Sequence, residues 1–580
     1  MLGEPLLTGE SMSRTFLVVP LLLLPAFAGA DPVELDADDI GPRWAGVNFH
    51  DNFGWSVETP GDLDGDGVDD FLVASPQDDG PVTFDSSVRV YLGRSGRLPQ
   101  QRLADWNAGT FTDAGNTDDS VFRFSVIDDA TGDGLRDLLT AEPNAGTSGL
   151  VLLYPGDGDW TAAQTTINSA YTWTGYTQTE FPQLATETRP SDVVAGDFDG
   201  DGLSDVAIAS VLFNRVWIDY SADGFQAETS LQDITDVYFS CVGDFPGAGY
   251  GSDIAVGDFN DDGLDDLVVG APGCNGEDGL VEVFYGANGG FGVQADLTIE
   301  GDERLGNRVH VADLNGDGID DLLIQELQRG TDENNGGLWI HPGSASGLSA
   351  EPITKIVAGF SDQRLGASVA VLPDISNPPD GLPELVVGSP EASISGVGQG
   401  TVYIFEGRDP WPATLAVADA RYRIDGSQLN AWFGQSLGTV GDFDDDGYPD
   451  FLIGEPNYSG DNSENEFHRG RVYLFTALPD RDEDNDGFST LNGDCDDTDP
   501  AVRPGLAEEC NGYDDDCDHE VDEGCDGDDD DSAGDDDDTV GDDDDDEGGC
   551  DCGSSMVPAE GSGGLLALAL LGGLAIRRRR

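Results

Sequence analysis

Asp62-Leu63-Asp64-Gly65-Asp66-Gly67-Val68-Asp69-Asp70 runs straight into Phe71-Leu72-Val73-Ala74-Ser75-Pro76, an acidic loop feeding an apolar, β-prone stretch. Counted from its first Asp, the loop offers side-chain oxygens at positions 1, 3, 5 and 9: Asp62, Asp64, Asp66 and Asp70. Gly67 at position 6 allows a sharp bend, and position 7, Val68, offers its backbone carbonyl. A hard cation needs several oxygens converging from one tight turn, and this spacing supplies them. An EF-hand would need a bidentate Glu at position 12 and flanking helices. Position 12 is Val73, inside the apolar run, so that reading fails.

The pattern recurs at Asp197, Asp199, Asp201 and Asp205; at Asp258, Asn260, Asp262 and Asp266; at Asp313, Asn315, Asp317 and Asp321; and at Asp442, Asp444, Asp446 and Asp450. A weaker copy has Asp129, Thr131, Asp133 and Asp137. A disrupted one, from Asp374 to Glu384, carries two extra residues and is left out of the ligand set. A single acidic turn would be ordinary, since Asp and Gly are common turn residues. Repetition at the same place relative to the apolar runs points instead to cations, because so many carboxylates repel one another without one. Calcium is the expected ion. The sites are alike and occur once per repeat, so their expected role is structural.

From Asp62 to Asp442 is 380 residues across six intervals, about 63 per unit. A unit usually begins with an aromatic or aliphatic residue followed by Gly (Phe53-Gly54, Tyr250-Gly251, Leu305-Gly306, Leu365-Gly366, Phe433-Gly434). The acidic loop follows, then a run such as Leu267-Val268-Val269-Gly270-Ala271-Pro272, then a later strand such as Val402–Phe405. These runs are short, rich in Val and aromatics, and bounded by Gly and Pro, so they read as strands. Seven four-stranded units arranged radially would close a β-propeller, and closure removes the ends that a linear solenoid must cap.

These residues resemble the FG-GAP repeats of integrin α-subunit propellers and of many secreted bacterial proteins. The resemblance covers about residues 44–478, with Gly270-Ala271-Pro272 the GAP signature to the letter. It implies an all-β, seven-bladed β-propeller in which each acidic loop joins two strands of a blade and holds calcium. The second unit departs, with Arg123 where Gly is expected, and the third has no clear FG pair.

The chain of 580 residues carries 115 Asp+Glu against 26 Lys+Arg, a formal charge of -89. Nucleic acid is thereby excluded as a partner, since phosphate binding needs a basic surface. Residues 1–30 read as a signal peptide, with Arg14 ahead of an apolar Phe16–Leu24 and Ala28-Gly29-Ala30 as cleavage site; Met12 is an alternative start. Secretion makes disulfides the expected state of the eight cysteines. Cys241 and Cys274 share one repeat and could staple it.

The composition changes after residue 478. Residues 479–525 open with Asp482, Asp484 and Asp486, another calcium-type spacing, and continue through Cys495, Cys510, Cys517 and Cys525, which allow three pairings. This stretch resembles the MopE-like metal-binding repeat. The resemblance implies a small module held by disulfide and calcium, with copper specificity left open. Residues 526–549 are an acidic low-complexity linker, expected to be extended and disordered. In residues 550–580, Cys550 and Cys552 precede a short hydrophobic segment, Gly563–Ile576, and the cluster Arg577–Arg580. Fourteen helical residues reach only about 21 Å, short for a stable membrane span. The arrangement resembles the MYXO-CTERM type of surface-sorting signal, which implies removal of the helix and anchoring at the bacterial cell surface.

Enzyme signals are poor. The five histidines are scattered, and Gly434-Gln435-Ser436-Leu437-Gly438 matches a nucleophile elbow only formally, because Ser56 and Ser368 occupy the same place in other units. The expectation is a secreted, surface-anchored, non-enzymatic and monomeric recognition or adhesion module. Its partner would be an extracellular protein or glycan, and its only membrane contact the C-terminal anchor. The alternative is a glycan-binding lectin or an accessory protein of surface polymer metabolism, and the third reading is an enzyme using a propeller face. The tryptophans could form glycan platforms or pack between blades.

Overall fold

The computed structural model describes residues 33–36, 43–46, 51–63, 67–79, 84–93, 109–112, 123–142, 148–156, 164–165, 169, 171–175, 190–221, 225–234, 237–240, 248–301, 303–327, 337–359, 364–375, 381–393, 398–441, 443, 449–459, 468–475, 502–503 and 506. The signal peptide, the calcium-type loop at Asp482–Asp486, the acidic linker and the C-terminal signal therefore lie outside the described residues. Seven antiparallel sheets, or blades, account for nearly all the secondary structure described. In six of them the four blade strands follow the chain from the inside outwards, and the seventh takes its outer strand from the N-terminus.

The innermost strands are Val57–Gly61, Arg123–Ile127, Asp192–Gly196, Ile254–Gly257, Leu305–Ala312, Ser368–Leu372 and Ser436–Thr439. Each packs on the innermost strands to either side, and Ser436–Thr439 meets Val57–Gly61. The ring is closed, which rules out the linear solenoid. The second strands, such as Asp137–Glu142, Asp205–Ser210 and Asp266–Ala271, are buried throughout. That is why they read as unbroken apolar runs rather than as alternating ones. The cores lie between blades: Ile127, Leu139 and Ala141 of the second pack with Val193, Val206 and Ile208 of the third.

Closure uses the N-terminus. Arg43–Ala45 is the outer strand of the seventh blade, paired antiparallel with Arg471–Phe475. The backbone N–H groups of Asn52 and Phe53 donate to the carbonyls of His468 (2.9 Å) and Arg469 (3.1 Å), stitching the first blade to the seventh. Trp44 is fully buried in this seam, against Phe71 at 5.2 Å and Tyr91 at 6.0 Å between ring centroids.

Four blades gain a fifth, parallel strand by one rule. Gln164–Thr165, Glu228–Ser230, Thr414–Ala416 and Val33–Asp36 each precede the outer strand of their own blade and pair with the outer strand of the blade before it. Edge strands that would otherwise present unpaired N–H and C=O groups are covered this way.

The paired FG and GAP glycines have a geometric cause. The N–H of Gly434 donates to the Gly454 carbonyl of its own blade (3.0 Å), and that of Gly366 to the Gly388 carbonyl (2.9 Å). The second-strand glycine also faces the next blade's FG turn. A Cβ on Gly388 would stand 2.2 Å from the Gly434 carbonyl oxygen, one on Gly454 2.2 Å from that of Gly54, and one on Gly270 2.3 Å from that of Gly306. Glycine there lets successive blades approach backbone to backbone.

The tryptophans divide. Trp173, Trp217, Trp339 and Trp411 are core residues. Trp55 and Trp432 are half-buried and lie together, 6.2 Å between centroids. Trp106 and Trp160 fall outside the described residues.

Candidate metal centres

Each acidic loop joins the innermost and second strands of its blade, so all lie at the same end of the ring. The position-6 glycines have φ of 92° (Gly67), 87° (Gly134), 87° (Gly202), 80° (Gly263) and 84° (Gly318). A Cβ on any of them would meet nothing within 4 Å. The backbone conformation, not space, therefore requires glycine. The position-6 N–H donates to the first Asp of every one of these loops: Gly67 to Asp62 (2.8 Å), Gly134 to Asp129 (2.6 Å), Gly202 to Asp197 (2.9 Å), Gly263 to Asp258 (2.9 Å) and Gly318 to Asp313 (2.8 Å). The position-5 carboxylates, Asp133, Asp201, Asp262 and Asp317, accept the N–H two residues on.

Position 9 is a structural joint in all seven blades. Asp70, Asp137, Asp205, Asp266, Asp321, Glu384 and Asp450 each accept the backbone N–H of the residue after the first loop Asp, at 2.6–3.1 Å. In five of them the other oxygen accepts an N–H just beyond the third strand, from Gly93, Gly156, Ser221, Gly286 and Gly343. The disrupted loop keeps this joint because the longer Glu384 side chain reaches Ile375 across the insertion.

Asp197, Asp199 and Asp205 each bring a carboxylate oxygen to within 4.8 Å of the others. This is the convergence a cation site needs. Burial pushes Asp205 and Asp266 up to about 7 and Asp321 to about 6, with neighbouring loop carboxylates adding to the rise. Asp199 is also raised, by desolvation and by Asp201 and Asp197. A divalent cation would offset both causes. Two further loops fit the same ion. Thr131 Oγ1 and Asn260 Oδ1, both position-3 oxygens, are buried without a hydrogen-bond partner. In the fifth blade, Asn315 Oδ1 accepts the Asp317 N–H (2.8 Å) and its amide nitrogen donates to the Asp317 carboxylate (3.1 Å). Asp64, Asp66, Asp442, Asp444 and Asp446 lie outside the described residues.

Position 8 was not singled out in the sequence, although Asp69, Asp265 and Asp320 recur there. Asp265 accepts the N–H of Asp197 (2.7 Å) and Asp320 that of Asp258 (3.0 Å), each in the preceding blade. These carboxylates link one loop to the next. The Asp-Asp doublet was the visible signal.

Comparison with known proteins agrees with this geometry. The FG-GAP-like repeat matches residues 129–208 and 258–324, and the FG-GAP repeat matches 53–92 and 433–475. The chain is a seven-bladed propeller that carries FG-GAP repeats. A putative metal-binding motif of the MopE type matches residues 494–523. Integrin alpha-5 of Xenopus laevis is 29% identical over 216 residues, 35% of this chain and 20% of the integrin. Phosphatidylinositol-glycan-specific phospholipase D is 30% identical in Rattus norvegicus, over 36% of this chain and 27% of the enzyme, and 30% identical in Bos taurus, over 40% and 30%. The chain thus spans under a third of these relatives' length. The FG-GAP region occurs in both kinds of protein, so it assigns no chemistry by itself. Among the described residues, no helix is long and apolar enough to cross a membrane.

Cys274 is disulfide-bonded, while Cys241 lies outside the described residues. The formal elbow at Ser436 has a structural explanation. Its hydroxyl donates to the Gly54 carbonyl (2.9 Å), as that of Ser368 does to Gly434 (2.8 Å), latching one blade to the next.

Proposed function

We propose that this chain is a secreted, surface-anchored propeller whose acidic loops hold calcium and whose body acts as an adhesion or recognition module on a bacterial cell. The convergence of Asp197, Asp199 and Asp205 within a loop template shared by neighbouring blades carries the calcium reading. The ligands are Asp62, Asp64, Asp66, Asp70 and the Val68 carbonyl in the first loop and the corresponding oxygens in the others. Ions there stiffen one end of the ring and leave the opposite end for a partner. The similarity to integrin alpha chains supports recognition, and the cysteine-bearing stretch at 494–523 supports a metal-loaded spacer beneath the propeller. The N-terminal signal and the Cys550–Arg580 tail support export and sorting.

The test is protease shaving of intact cells, with mass spectrometry of the released and mature protein. The expected chain begins near Asp31, is released from the outside, and yields no peptide from Leu565–Arg580. Mature molecules that mostly retain Arg577–Arg580 would replace the sorting signal with a permanent anchor. Recovery from the cytoplasm alone would reject the surface module.

A further inference from the structure

The seven innermost strands enclose a cavity of about 240 Å³ on the propeller axis. Most of its polar groups latch the ring. Glu58 accepts the Val126 N–H (2.8 Å), Asp192 that of Ile254 (3.2 Å) and Asp253 that of Val309 (2.9 Å), each from the following blade. Arg308 holds the other Asp253 oxygen at 2.8 Å. Two groups keep hydrogen-bonding capacity beyond this scheme. Arg123, nearly a third exposed, is held electrostatically among Asp192, Asp253 and Glu58, and it comes to 3.5 Å of the Asp253 oxygen that Arg308 already holds. Gln435 lines the cavity with only 7% of its surface exposed, and its Oε1 has no hydrogen-bond partner. Burying an amide oxygen in that state is costly unless a donor arrives. Trp55 also lines the cavity, half-buried and backed by Trp432.

The chemistry of the lining selects the ligand. Three carboxylates face two guanidiniums, and burial pushes both Glu58 and Asp253 up to about 8. With all three carboxylates ionised the lining carries one net negative charge, and with Glu58 and Asp253 protonated one net positive charge, so it offers no concentrated charge of either sign. The three-carboxylate convergence found among the described residues lies in the acidic loop at Asp197, not here, so a metal ion is disfavoured. Donors, acceptors and one aromatic face are offered together. A neutral ligand whose hydroxyls both donate and accept, with an apolar face for an indole, meets all three.

We propose that the axial cavity binds a single neutral sugar residue, with Gln435 accepting from a hydroxyl, Arg123 donating to another, and Trp55 covering the apolar face of the ring. This rests on the reading of the propeller as an extracellular recognition module and names its ligand class.

The test is saturation-transfer NMR on the full chain in calcium, with free glucose, galactose, mannose and N-acetylglucosamine as probes and ethylammonium as the cationic comparison. At least one sugar should show transfer with millimolar affinity. Gln435→Ala should weaken it about tenfold, the loss of one buried hydrogen bond. Because that variant removes an amide oxygen with no partner, its melting temperature should stay close to that of the parent, which separates binding from folding. Trp55→Ala should abolish the signal. Transfer from no sugar, transfer from ethylammonium alone, or sugar transfer unchanged by Gln435→Ala would each overturn the axial site. Those three results leave surface export and calcium loading standing, since the shaving experiment reads the first and calcium counting the second.

Discussion

Excess EDTA should lower the thermal unfolding midpoint of the full chain by many degrees relative to about 2 mM calcium, a level matched to the loose affinities of extracellular calcium modules. Calcium that binds the native loops and hardly the unfolded chain stabilises by mass action. At dissociation constants of about 0.1–1 mM, each site contributes roughly 0.6–1.8 kcal/mol, and the five complete loops together about 3–9 kcal/mol. The physical source is visible at Asp205 and Asp266, whose burial pushes them up to about 7 in the absence of an ion. A bound cation lets them stay ionised in place. Magnesium should substitute poorly, because it demands tighter octahedral geometry and gives up water reluctantly. Coincident midpoints with and without EDTA would remove calcium from the account of stability.

The second large effect is expected at the seam. Trp44→Ala should cost about 3–5 kcal/mol, the usual range for truncating a buried tryptophan. Trp44 is 1% exposed and touches the first blade through Phe71 and Tyr91 while its backbone pairs with Val472 of the seventh. The cavity would open where the first and seventh blades meet, and nothing else described there replaces a ring of that size. Denaturant unfolding checks this. An unchanged midpoint would mean that the N-terminal strand is dispensable for closure.

Much of this was legible because it repeats. The loop spacing from Asp62 to Asp70 recurs with little change, and so do the glycines that its φ values require. The apolar second strands announced themselves because both faces are buried. What stayed hidden depends on partners distant in sequence. Nothing local marks Arg43–Ala45 as the outer strand of the seventh blade, since its pairing partner begins at Arg471. The added edge strands are only two to four residues long, too short for any period to show. The GAP glycines were visible as a motif, but their cause lies in the next blade's FG carbonyl. The role of position 9 was read only in part: Asp205 converges with Asp197 and Asp199 and also holds two backbone N–H groups. The axial cluster was not anticipated, because Glu58, Arg123, Asp192 and Asp253 come from four different blades.

The central claim is that the acidic loops are calcium sites. Elemental analysis of the full chain after exhaustive dialysis against calcium-free and then calcium-containing buffer, compared with Asp199→Ala, tests it most directly. Asp199 supplies one of the three converging oxygens of its loop and lies outside the strand-joining contacts made by Asp205. The account predicts several calcium ions per parent chain and about one fewer in the variant, with the fold retained. Equal calcium counts in the two proteins, or none in either, would contradict it.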